Sequence, residues 1–217
     1  MLFRTILGVL LMVGFWGVQT SRALAHPHEF VQMRVHILVD DQNRAVGMRY
    51  DWLFDEFFSA FAVEPADTDG DGKPEPEGLD RVLSEILGNI HGIDYFTKFD
   101  QNGSVPKLTK AKPISAKMEE RQFRVRFEVA FEKPVSLTKK PMNYSIYDEE
   151  FYIAMNHFPD DDAVTVEGSK SCKIDLEAAE PDEETQSFAA SLDKTDKAPN
   201  DLGLAFAEWV SVSCPKT

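Results

Sequence analysis

The chain has 217 residues, 43% of them hydrophobic and 28% charged, and a formal net charge of −14. That balance suits a single domain with enough apolar content to bury a core. Its acidity argues against tracking a nucleic-acid backbone or binding an anionic membrane surface, and favours cationic partners, of which metal ions are the simplest.

Residues 1–25 read as a signal peptide. Arg4 supplies the charged start, residues 6–18 form the apolar run, and Ala23-Leu24-Ala25 offers the small residues at which cleavage occurs. The apolar run is shorter than the roughly 20 residues a membrane-spanning helix requires, so the expected product is an exported periplasmic protein that begins at His26 and is not itself transmembrane. Loss of Arg4 and Arg22 with that segment moves the net charge from −14 to −16.

Residues 30–39 place apolar and β-branched side chains at alternate positions, the pattern of a strand with one buried face. Asp40-Asp41-Gln42-Asn43 is turn chemistry, and residues 45–54 resume as a second strand, which predicts a hairpin. Residues 55–61 and 78–90 carry helical patterns. In the longer one Leu79, Val82, Leu83, Ile86, Leu87 and Ile90 recur at three- and four-residue spacing. Residues 122–131 alternate clearly, with Phe123, Val125, Phe127, Val129 and Phe131 on one face. Shorter strands are expected at 145–147, 151–156, 163–166, 171–176 and 210–214. Residues 177–200 are rich in Glu, Asp, Lys, Ser and Pro and predict a mobile acidic surface loop. The fold expected is mainly β: an antiparallel β-sandwich of Ig-like architecture spanning 26–217, with a helix-loop-helix insertion at about 55–91.

Cys172 and Cys214 are the two cysteines, and in an oxidising compartment they are expected to pair. The bridge would close a loop of roughly 43 residues, worth on the order of 4 kcal/mol in the chain-entropy account.

Two constellations carry metal chemistry. His26-Pro27-His28 presents two imidazoles at i and i+2, which an extended backbone points the same way. Cleavage after Ala25 would add the α-amine of His26. Pro27 lacks the amide N–H that a square-planar amino-terminal copper or nickel chelate needs, so the pair requires ligands from the folded body, with Asp148 and His157 as candidates. Asp67-Thr68-Asp69-Gly70-Asp71-Gly72 places acids at positions 1, 3 and 5 and glycine at 6, as in half of a calcium-binding EF-hand loop. Position 12, normally glutamate, is Gly78, with Glu77 one place early. The set expected for calcium is therefore Asp67, Asp69, Asp71 and Glu77. His36 among apolar neighbours reads as a packed histidine.

The sequence contains no Gly-rich phosphate loop, no Gly-x-Ser-x-Gly elbow and no His-Glu-x-x-His helix, so a non-catalytic protein is expected. A copper oxidase built on the terminal amine and imidazole would need a further adjacent histidine beyond His28, from among His36, His91 and His157.

Several segments taken in order resemble the DUF1007 family of exported bacterial proteins: His26-Pro27-His28-Glu29-Phe30, Asp51-Trp52-Leu53-Phe54-Asp55-Glu56, the loop from Asp67 to Gly72, Asp94-Tyr95-Phe96, Tyr147-Asp148 with Phe151-Tyr152, Cys172, and Leu202-Gly203 through Phe206-Ala207 to Cys214. The resemblance implies a periplasmic component of a transport system for nickel, cobalt or zinc, partnered by a membrane permease for those ions. The reading drawn from residues and resemblance together is a metal-binding accessory protein with ligands at His26 and His28. The alternative is a secreted, non-catalytic β-sandwich interaction module with at most a structural calcium.

Overall fold

The protein is described by a computed structural model covering residues 26–216 apart from 170, 194, 195 and 200. The signal-peptide reading of residues 1–25 lies outside the described residues.

Strand β1 (Glu29–Val39) turns back into β2 (Arg44–Phe54) through a hairpin closed by Asp40, whose Oδ1 accepts from the amides of Gln42 at 3.0 Å and Arg44 at 2.9 Å. Asn43 supplies the positive φ that the turn demands. The helical insertion follows at once as α1 (Glu56–Ala62) and α2 (Pro76–Ile90). Then come β3 (Thr97–Phe99), β4 (Lys112–Glu119), β5 (Gln122–Ser136), β6 (Met142–Ile146), β7 (Ile153–His157), β8 (Val164–Glu167), β9 (Lys173–Glu177), α3 (Glu183–Ala189), α4 (Leu202–Ala205) and β10 (Trp209–Ser213).

The strands form two sheets, as expected of a sandwich. The larger has the order β4-β5-β2-β1-β7, with β8 also paired to β1; the smaller has the order β3-β6-β10-β9. One core joins them. Met33, Val35 and Ile37 of β1, Tyr50 and Trp52 of β2 and the inward phenylalanines of β5 belong to the same buried cluster as Tyr144, Val210 and Val212 of the smaller sheet. Alternation alone selects these faces, because each strand turns every second side chain inward. Helix α2 contributes Leu79, Val82, Leu83 and Leu87 to that cluster. Helix α1 is pinned by Ser59, whose Oγ donates to the Asp55 carbonyl and accepts from the Phe123 amide at 2.8 Å.

The other face of the large sheet is charged. Asp51, only 3% exposed, accepts from Arg124 at 2.6 and 2.8 Å and from Arg126 at 2.9 Å. Arg126 is its cross-strand register partner on β5. These arginines hold the Asp51 carboxyl below the usual carboxylate range against the opposing effect of burial.

Three details differ from expectation. First, β7 and β8 pair with β1 in parallel, so the large sheet is mixed; period-two patterning assigns a face but says nothing about a partner's direction. Second, β3 and β4 are additional strands, the latter mostly without the clean alternation that marks β5. Third, the acidic segment 177–200 is not simply a loop. Asp182 accepts from the Thr185 amide at 2.8 Å and starts α3. Ala189, Ala198 and Leu202 then make a small core of their own with Phe151, Leu192 and Phe206. The Cys172–Cys214 disulfide ties the segment leading into β9 to the end of β10.

Candidate metal centre

The start of β1 lies where the parallel edge and the helical insertion meet. The Tyr152 carbonyl accepts from the amides of His28 at 2.8 Å and Glu29 at 3.3 Å, which locks the His-Pro-His segment to the approach of β7. Three rings consequently gather. The centroid of His26 lies 5.0 Å from that of His28 and 5.9 Å from that of Tyr152, and His28 lies 4.7 Å from Tyr152. His26 is 5% exposed, and its Nδ1 is shielded from solvent with no hydrogen-bond partner. A buried imidazole nitrogen of that kind is costly unless something binds it.

Asp148 lies close by but is engaged by the backbone. Its Oδ2 accepts from the amides of Tyr152 at 2.8 Å and Ile153 at 3.1 Å. It therefore positions Tyr152, and through Tyr152 the His28 backbone. His157 is elsewhere: on β7 it stands opposite Met33 of β1, five residues beyond Tyr152, or about 16 Å along a strand. There its ring Nδ1 lies 2.8 Å from Glu208 Oε2, which also accepts the His157 amide at 2.7 Å. The expectation that His157 joins His26 and His28 is thus corrected by the parallel register of β7, and Asp148 Oδ2 is occupied in holding the Tyr152 and Ile153 amides.

Glu29, next to the pair, is the acid that sequence reasoning passed over. Burial, followed by the neighbouring carboxylates of Asp55 and Asp148, pushes its carboxyl up to about 7. Asp55 is itself committed, with Oδ2 accepting from the Phe30 amide and Oδ1 from the Phe57 and Phe58 amides that begin α1. His28, Glu29 and Tyr152 open onto a cleft of about 450 Å³ between α1 and α2, walled by Phe57, Phe58 and Phe61 on one side and Val82, Glu85, Ile86 and Asn89 on the other. The adjacency of Glu29 to His28 was visible in the sequence. The arrival of Tyr152 and Glu85 depends on non-local packing.

The acidic loop takes the compact form its spacing predicts. Asp67 accepts from the amides of Gly70 and Gly72, both at 2.8 Å, and the two glycines adopt φ of 77° and 82°. Carboxylate oxygens of Asp67, Asp69 and Asp71 lie within 4.8 Å of one another, and among the described residues this is the one group of three or more acidic, histidine or cysteine side chains so arranged. Glu77 is exposed in the first turn of α2 and is not part of it. Gly78 has a packing reason to replace the glutamate of position 12: a Cβ there would meet the Ala66 carbonyl oxygen at 2.5 Å and its Cα at 2.6 Å.

The other histidines have local partners. His36 Nδ1 lies 2.6 Å from Thr165 Oγ1, and His91 Nδ1 lies 2.9 Å from the Tyr95 hydroxyl.

A family model described as a protein of unknown function, DUF1007, matches residues 11–214. The chain belongs to the DUF1007 family. An uncharacterized protein of Haemophilus influenzae (strain ATCC 51907 / DSM 11121 / KW20 / Rd) is similar to it, with 28% identity over 197 residues that cover 88% of this chain and 92% of that protein. For this DUF1007 chain, no helix among the described residues is long and apolar enough to cross a membrane. The disulfide is compatible with export.

Proposed function

We propose that this chain is an exported, non-catalytic metal-binding accessory protein of a divalent transition-metal transport system, with zinc, nickel or cobalt as its cargo and a membrane permease as its partner. The observation that carries the reading is the His26–His28 pair at the entrance to the folded body, with the His26 Nδ1 shielded and unpartnered. An ion about 2.0–2.1 Å from a ring nitrogen lies about 3.2 Å from the ring centroid, so two imidazoles at a tetrahedral angle have centroids about 5.2 Å apart. The 5.0 Å spacing of His26 and His28 fits that requirement.

Two side chains leave coordination positions for exchangeable ligands, which suits cargo better than a closed structural site. Cleavage after Ala25 would add the His26 amine. Asp148 and Tyr152 would hold the pair in place. The test is calorimetric titration of metal-stripped protein beginning at His26 with zinc, nickel and cobalt. Binding that is lost in His26→Ala and His28→Ala supports the site; equal binding by wild type and both variants removes it. Unchanged accumulation of all three metals in cells lacking the protein would refute the transport assignment.

A structural calcium in the Asp67, Asp69 and Asp71 loop is a second reading, favoured by the convergence of their carboxylates. With one incomplete loop, binding in the weak range of extracellular modules is expected. A melting temperature raised by millimolar calcium in wild type but not in Asp67→Asn supports it, and no response in wild type excludes it.

A further inference from the structure

The cleft beside the histidine pair is built for more than a bare cation. Phe57 and Phe61 are each 64% exposed and lie edge to face with centroids 4.9 Å apart, so α1 presents an aromatic wall that the core does not use. The opposite wall is a single stripe of α2, on which Ile86 supplies apolar surface while Glu85 and Asn89, four residues apart, supply polar groups. Glu29 brings a second carboxylate from β1, and no lysine or arginine lines the cleft. A volume of about 450 Å³ lies in the ordinary range for small-molecule sites, which pair apolar walls with a few orienting polar groups.

Both halves of that lining select the same chemistry. A metal ion has no use for three phenylalanine rings, and an uncharged hydrocarbon leaves two carboxylates facing apolar surface. An anion would face two acidic side chains with no lysine or arginine to offset them. An ammonium head satisfies the carboxylates and is also attracted to aromatic faces, while an attached apolar body covers the exposed rings.

We propose that the cleft between α1 and α2 binds a small organic ammonium compound with an apolar body, its head held by Glu29 and Glu85 and its body against Phe57, Phe58 and Phe61. His28 lines the same cleft, but the groups that would hold the ammonium compound, Glu29, Glu85 and the α1 rings, are none of them the proposed metal ligands, so the two readings are tested independently.

The experiment uses the full mature chain stripped with EDTA, and 3-phenylpropylamine as probe with 3-phenylpropan-1-ol as its uncharged counterpart. Calorimetry is expected to give saturable amine binding in the sub-millimolar to millimolar range, at roughly −4 to −5 kcal/mol, with the alcohol at least tenfold weaker. Glu85→Gln and the double variant Phe57→Ala/Phe61→Ala should each weaken the amine about tenfold. All three replaced side chains line an open cleft, so melting temperatures close to wild type verify that these variants are folded. His26→Ala should keep amine binding while losing metal, which separates failure of this proposal from failure of the metal assignment. Absence of saturable amine binding, equal affinity for amine and alcohol, or unchanged affinity in the folded variants would overturn it.

Discussion

Gly203→Ala probes the support of the histidine pair from a position that touches neither ring. Gly203 lies in α4, and its amide donates to the Glu149 carbonyl at 3.0 Å. A Cβ added there would overlap the Asp148 carbonyl oxygen outright and stand 2.9 Å from the Asp148 carbonyl carbon and 3.2 Å from that of Glu149. Carbon atoms pack at about 3.5–4.0 Å, so the Asp148 carbonyl carbon must retreat by at least about 0.6 Å, and its oxygen by more. The obstruction is backbone, which no rotamer change relieves. Overpacking costs about 1–3 kcal/mol, and this case belongs at the upper end. For a domain of this size, a loss of about 3 kcal/mol corresponds to a fall of about 6–12 °C in melting temperature.

The displacement also reaches the site. Asp148 orients Tyr152 through the Tyr152 amide, and the Tyr152 carbonyl orients the His28 amide. Zinc affinity, measured by competition with a chromophoric chelator at a temperature where the variant is folded, should fall about tenfold, or about 1.4 kcal/mol. Gly88→Ala is the matched control, because a Cβ there meets nothing within 4 Å on an exposed turn of α2. It should stabilise the protein by about 0.5–1 kcal/mol and leave zinc binding unchanged. A Gly203→Ala protein with wild-type melting and wild-type zinc affinity would refute the reasoning.

Two other perturbations address the frame. Asp51→Asn removes the charge that Arg124 and Arg126 share; breaking a buried pair costs about 3–5 kcal/mol, but Arg126 is 42% exposed and Arg124 keeps Glu119, so about 2–3 kcal/mol is expected in urea unfolding at pH 7. The carboxyl is held below its unfolded value near 3.9, so its stabilisation is complete above about pH 4 and disappears as pH falls through the lower folded value; the gap between wild type and variant should be flat from pH 7 to about pH 4 and close below it. A gap that widens under acid contradicts this. Replacing both Cys172 and Cys214 by serine should cost about 2–4 kcal/mol, read as a lower urea midpoint. An unchanged midpoint would show that the tether between the start of β9 and the end of β10 does not constrain the unfolded chain.

Much of the frame was legible along the chain, where local physics suffices. Alternation marked the inward faces of β1 and β5, turn chemistry marked the hairpin into β2, three- and four-residue spacing marked α2, and two cysteines in a chain read as exported marked the disulfide. The spacing of Asp67, Asp69 and Asp71 predicted their convergence, because a turn six residues long is governed by its own glycines. The Asp182 cap that starts α3 was also local, yet the surrounding charge concealed it.

The candidate site was readable only in part. The sequence by itself identified His26 and His28 as a pair, because side chains two residues apart in an extended segment share a face. Their surroundings were decided by the tertiary structure. Parallel pairing of β7 with β1 sets Tyr152 against both rings and carries His157 to the far end of the strand, where Glu208 receives it. The packing of α1 and α2 beside β1 then brings Glu85 to the cleft that Glu29 and His28 enter. Period and spacing encode which face of an element is buried, but strand direction and register join residues more than a hundred positions apart, and those were decided by the burial of one shared core.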